Sequence, residues 1–193
     1  TLPEFAGDEY AVLDGTSFSA PHVAGAAALL VQRHPSWTSQ QLKSALMSTA
    51  GPAFGDTSLT QEASVLVQGA GLVRVGAADR PLIFTAPQSL SFGYLPANAG
   101  TPSSRAVSVA VSDAGGGAGT WTAEIQAQVA STGATVEAAP ITVAPGGTAV
   151  IQVVARATAS AVAGDNFGFV VLRRGSDARR IPYAFSVSRS SLT

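Results

Sequence analysis

The chain has 193 residues, 46% of them hydrophobic and 12% charged, which is enough apolar material for one large domain or two small ones and too little charge for a disordered chain. One lysine (Lys43) and ten arginines against 12 acidic residues leave a net charge of −1; no basic patch stands out, so nucleic acid is not an expected partner. The absence of cysteine excludes disulfides and zinc–thiolate centres, and the longest apolar run, Ala24–Val31, is far too short to span a bilayer.

The first marked feature in chain order is LDGTSFSAPHVAG, Leu13 to Gly25. A serine flanked by glycine and other hydroxyl residues stands at the mouth of an apolar run. The pattern predicts a helix over Ser17–Arg33, apolar nearly all round (Val23, Ala24, Ala26–Val31), as in a fully buried helix. Pro21 near its start costs little, and Gly25 lets another element approach the backbone closely. Pro35 ends it. A second helix begins at Thr38, where Thr38 and Gln41 make a capping-box pattern and Leu42, Ala45 and Leu46 form one stripe. Gly51-Pro52 stops that helix, a loop follows, and a glycine turn leads into a short apolar segment at Leu72–Ala78.

After Arg80-Pro81 the period changes to two. Trp121, Ala123, Ile125, Ala127 and Val129 alternate with polar residues, as do Ile181, Tyr183, Phe185 and Val187. Further short strands are expected at Leu90–Tyr94, Arg105–Ser112, Ile141–Val143, Thr148–Ala155 and Phe167–Arg173. About seven strands separated by turns argue for a β-sandwich of immunoglobulin or fibronectin type. DAGGGAGT, 113–120, reads as a flexible hairpin tip, and the two halves are expected to pack together.

Ser17 is the residue that points to chemistry. A serine hydroxyl needs a base to take its proton and donors to hold an oxyanion. A helix N-terminus meets the second need, because its first N–H groups are unpaired and the helix dipole favours negative charge. His22, five residues on, is about 7.5 Å along the helix and rotated by about 140°, so it does not easily reach the Ser17 hydroxyl. His34 lies a full helix length away and is expected to cap carbonyls at the helix C-terminus.

GTSFSAPHVAGAAALL resembles the serine-helix signature of the subtilisin-like serine proteases, the subtilases. The likeness continues through HPSWTSQQLKSALMSTA and QGAGLVRVGAA, over about Leu13 to Ala78. The resemblance implies that Ser17 is the nucleophile and that the residue matching His22 is structural. Phe18 departs from the family's commonest methionine at that position, removing an oxidisable sulfur. Asp14 also departs from the commonest choice and brings a carboxylate near the site. In the subtilisin order of aspartate, histidine, serine, the serine comes last. The aspartate, the histidine and the asparagine that supplies the second oxyanion donor are therefore expected upstream. Glu4, Asp8, Glu9 and Asp14 precede Ser17 with no histidine among them.

The resulting expectation is an α+β chain: 1–80 as the incomplete C-terminal, helical part of an α/β subtilisin-like catalytic domain, and 81–193 as a fibronectin-III-like β-sandwich, with GDNFGFVVLRR and RRIPYAFSV resembling its final strand pair. The expected function is that of a secreted or cell-surface serine endopeptidase, inactive as this chain alone. Its partners are a peptide or protein substrate and the upstream segment, without whose cover the helix would expose apolar surface. The other reading is a non-catalytic binding or structural module. No cofactor and no metal are expected, since Asp56, Asp79, Asp113, Asp165 and Asp177 are scattered along the chain. The aromatics Trp121, Phe167, Phe169, Tyr183 and Phe185 read as core fillers rather than a ligand platform. The cluster Arg173, Arg174, Arg179 and Arg180 reads as a solvated hairpin end or an edge-strand guard rather than a contact for an acidic partner.

Overall fold

A computed structural model describes residues 15–56, 58–97 and 101–189. Four helices come first: α1 (Thr16–Arg33), α2 (Ser39–Ser48), α3 (Val65–Gln68) and α4 (Val75–Ala78). Nine strands follow: β1 (Ile83–Ala86), β2 (Leu90–Pro96), β3 (Ser103–Asp113), β4 (Gly119–Val129), β5 (Ala134–Ala138), β6 (Ile141–Val143), β7 (Thr148–Ala157), β8 (Gly164–Arg174) and β9 (Asp177–Ser188). Thr38 caps α2 as its sequence predicts. Its hydroxyl accepts the Gln41 N–H, and the Gln41 side chain accepts the Thr38 N–H at 2.8 Å.

The strands form two sheets, in the order β1-β3-β7-β5 and β2-β9-β8-β4-β6. They enclose one core in which Trp121, Phe92, Ile83, Val109, Val111 and Ile181 are fully buried. Burying each such side chain stabilises the fold by about 1.5–3 kcal/mol. Period-two alternation is realised along β9, whose Ile181, Tyr183, Phe185 and Val187 point inward. Trp121, Tyr183 and Phe185 are core residues, as expected; Phe169 is buried on the opposite face of its sheet, against Val65.

The expected α+β division, a helical portion of an α/β domain beside a separate immunoglobulin- or fibronectin-type sandwich, is not what the chain forms. It is mostly β, with roughly twice as many residues in strands as in helices, and the helices share their core with the sheets. The cause lies in β1. Ile83 faces the core between the sheets, while its neighbour Phe84 faces Ala26, Leu30, Ala45, Leu46 and Ala78 of the helices. A strand buried on both faces cannot be the outer layer of a free-standing sandwich. Buried Ser44 of α2 completes the join, its hydroxyl accepting the Thr85 N–H at 2.7 Å. The edge of the second sheet departs from the antiparallel immunoglobulin pattern as well, because β2 runs parallel to β9.

Segment 113–120 is not a hairpin tip. It joins β3 in one sheet to β4 in the other. The Asp113 carboxylate accepts N–H groups from Gly115, Gly117 and Gly146 at 2.7–2.9 Å. Arg174 donates to the carbonyls of Gly116 and Ala118, and the Trp121 indole N–H donates to Gly117 O. The four arginines are not a solvated hairpin end either. Arg173 pairs with Glu124, Arg174 lies over the Trp121 ring, buried Arg179 donates to the Pro81 carbonyl, and Arg180 pairs with Glu62. Their turn joins two interior strands, β8 and β9, so there is no edge there to guard.

Candidate functional site

Ser17 is the second residue of α1 and is exposed. The chain enters the helix through Gly15, whose φ of +150° is a conformation other residues rarely adopt. The N–H groups of Phe18 and Ser19 both turn onto the Gly15 carbonyl, at 3.0 and 3.2 Å. Among the described residues the Ser17 hydroxyl has no hydrogen-bond partner. Pro21 falls in the second turn, and its lack of an N–H leaves the Ser17 carbonyl without its usual helical donor. Asp14 lies outside the described residues, as do Glu4, Asp8 and Glu9.

Neither histidine is brought to the serine. The His22 ring Nδ1–H donates to the Phe18 carbonyl, 2.6 Å away on the same helix. His34 is the C-cap of α1, its backbone N–H donating to the Leu30 carbonyl at 2.8 Å, while its ring is engaged elsewhere. It stacks on Trp37 at 3.7 Å between ring centroids, and its Nε2 meets Asp79 Oδ1 at 2.8 Å. Arg33 grips the same carboxylate through Nε and Nη2. Hydrogen bonding to Arg33 first, and to His34 second, holds the Asp79 carboxyl below its ordinary range. This cluster pins the end of α1 to the end of α4 and takes no part at Ser17.

Beside the start of α1 is an open crevice of about 610 Å³. Phe18, His22 and Val23 form one side, and Val67, Gln68 and Leu72 the other. Ser17 is not among its lining residues. Nor is α1 the buried helix expected from its composition. Only Ala26 and Leu30 are buried, while Phe18, Val23, Leu29 and Val31 are 44%, 41%, 54% and 47% exposed. Nothing described approaches Gly25 closely. Among the described residues, the arrangement thus places an exposed serine hydroxyl at a helix N-terminus with neither histidine in reach of it.

Asp56 is engaged by its own loop. It accepts hydrogen bonds from Ser58, from the Thr60 hydroxyl (2.8 Å) and from the Gln61 N–H (3.0 Å), which hold its carboxyl far below the usual range, the Ser58 hydroxyl foremost. No group of three or more potential metal ligands occurs among the described residues. Sequence reasoning missed a polar network behind the crevice: Gln128, Arg180, Glu62 and Gln68. Its members are 52 to 118 residues apart except for the Glu62–Gln68 pair, so no local spacing could reveal it.

Residues 2–71 match the family model of the subtilase family. The chain is 41% identical over 88 residues to subtilisin-like protease SBT4.6 of Arabidopsis thaliana, covering 45% of this chain and 12% of that protein. It is 45% identical over 76 residues to subtilisin BL of Lederbergia lenta, covering 39% of this chain and 25% of that protein. The match therefore spans a quarter or less of the length of these relatives. Among solved structures, a C. elegans MSP family member, WR4, aligns with 55% of this chain and 98% of its own at 10% identity, with a TM-score of 0.32.

Proposed function

We propose that this chain is part of a subtilisin-like serine endopeptidase in which Ser17 is the nucleophile, a reading that proceeds from the subtilase match of residues 2–71. The observation that carries it is the Gly-Thr-Ser serine, exposed at the start of a helix inside the matched stretch. The Ser17 hydroxyl attacks the scissile carbonyl. A histidine from polypeptide upstream of Thr1 takes its proton and then delivers it to the leaving amine. An upstream aspartate orients that histidine. The Ser17 N–H and an upstream asparagine stabilise the oxyanion, and water then releases the acyl group from Ser17. In this reading residues 1–80 are the C-terminal part of the catalytic domain, and residues 81–193 pack onto them through β1. The resemblance carries an extracellular setting with it, and no helix among the described residues is long and apolar enough to cross a membrane.

The test is a fluorophosphonate serine probe applied to the protein with its upstream polypeptide and to 1–193 alone. Labelling at Ser17 in the longer protein, lost in Ser17→Ala, is the expected result, with no peptide hydrolysis by 1–193. Robust turnover by 1–193 alone, or no labelling of a folded longer protein, overturns the reading.

A further inference from the structure

We infer that Gln128 and Arg180, which belong to the sheets, are positioning residues for the wall that faces the Ser17 helix; the inference rests on the protease reading above. The wall is the stretch from Glu62 to Val73. Its helical part, α3, is a single turn, too short to hold itself, and Leu66 and Val67 on it are 62% and 83% exposed. What fixes it comes from the far side. The Gln128 amide grips its backbone at two points, accepting the Val65 N–H at 2.8 Å and donating to the Ala63 carbonyl at 3.0 Å. Buried Val65 rests on Phe169 and Val171.

Arg180 holds the other end. Its guanidinium lies 3.6 Å from the centre of the Phe169 ring and pairs with Glu62. Its Nε is buried without a partner among the described residues, so the group is held where Glu62 and the ring need it, not where every donor is satisfied. The same Glu62 oxygen accepts Gln68 Nε2 at 2.9 Å, and Gln68 Oε1 accepts the Ala53 N–H at 2.9 Å. Gln68 lines the crevice opposite Phe18 and His22. A continuous polar path therefore runs from β9 through Glu62 to the crevice wall. Loosening it shifts the wall against the helix that carries the nucleophile, and small displacements of reacting groups lower rates by large factors.

The experiment uses Gln128→Ala, Arg180→Ala and Arg180→Lys in the protein with its upstream polypeptide. Hydrogen exchange is followed by mass spectrometry. Gln128→Ala and Arg180→Ala are expected to speed exchange of residues 62–73 by about tenfold, the loss of one or two anchoring hydrogen bonds, with residues 148–157 of the other sheet unchanged as the control for folding. In peptide hydrolysis both lower kcat by about tenfold with KM within about twofold. Arg180→Lys keeps the Glu62 pair and recovers most of the loss. Unchanged exchange at 62–73 overturns the clamp. Faster exchange there with wild-type kcat overturns the positioning role. If the unmutated protein is not labelled at Ser17, the protease reading fails, and the positioning role with it, while the exchange measurement still decides the clamp.

Discussion

Gly117 is buried against Leu82, and a Cβ built there would overlap the Leu82 carbonyl and come within 2.7 Å of Ile83 Cγ2. Leu82 and Ile83 lead into the strand that joins the helical and β cores, so the backbone cannot yield cheaply. Gly117→Ala is expected to cost about 2–3 kcal/mol, read as a lower urea midpoint; a cost below about 0.5 kcal/mol would contradict the contact. Asp113, the partner of this turn, makes its contribution through charge. The N–H groups of Gly146 and then Gly117 hold its carboxyl below the ordinary range. The unfolded chain therefore takes up a proton at that group before the folded one does. The stabilisation is complete above the unfolded carboxyl pKa of about 3.9 and is lost as pH falls through the lower folded value. Asp113→Asn removes that dependence. Its urea midpoint should fall less steeply than wild type between about pH 5 and about pH 3, and parallel slopes would refute the assignment.

At the scale of elements, α2 carries two separable ties. The capping box at Thr38 is local, and Thr38→Ala is expected to cost about 1 kcal/mol. Ser44 is tertiary. Removing its hydroxyl strands the buried Thr85 N–H, and Ser44→Ala is expected to cost about 1–3 kcal/mol, the larger of the two. Urea midpoints measured side by side decide the order, and the reverse order would locate the helix's stability in its cap. The same contrast separates what was legible from what was not. The box is a spacing of three residues and could be read. So could β6 and the long alternating strands β4 and β9, whose inward positions recur every second residue. β1 could not, because four residues buried on both faces show no alternation. β5, ATVEA, could not, because its residues are mostly poor strand formers and it pairs only with β7. Alternation also marks a strand's buried face without naming its neighbour, so the parallel β2–β9 pair was invisible. In the candidate site, the Gly-Thr-Ser motif at Ser17 was legible through its resemblance to the subtilase serine helix, and the failure of His22 to reach Ser17 through helix geometry. The partner of His34, Asp79, lies 45 residues away, and the Gln128 clamp reaches back across 63.

At the scale of the molecule, α1 is covered along one side only. Ala26 and Leu30 pack towards β1 through Phe84, while around the rest of the helix Phe18, Val23, Leu29 and Val31 are about half exposed, with no described element over Gly25. Covering such side chains contributes about 1.5–3 kcal/mol each, so a surface of this kind favours association. Under the proposed function its cover is the upstream catalytic polypeptide. Two consequences separate that occupant from chance stickiness. In 1–193 alone, the double substitution Leu29→Lys with Val31→Lys should change folding stability by no more than about 0.5 kcal/mol, as at other exposed positions, and should reduce self-association seen by sedimentation velocity. In the protein with its upstream polypeptide the same pair should destabilise strongly, by about 3 kcal/mol or more, because two cations then enter an apolar interface. Equal, small effects in both contexts would mean that α1 around Leu29 and Val31 stays open to water and that the upstream polypeptide docks elsewhere.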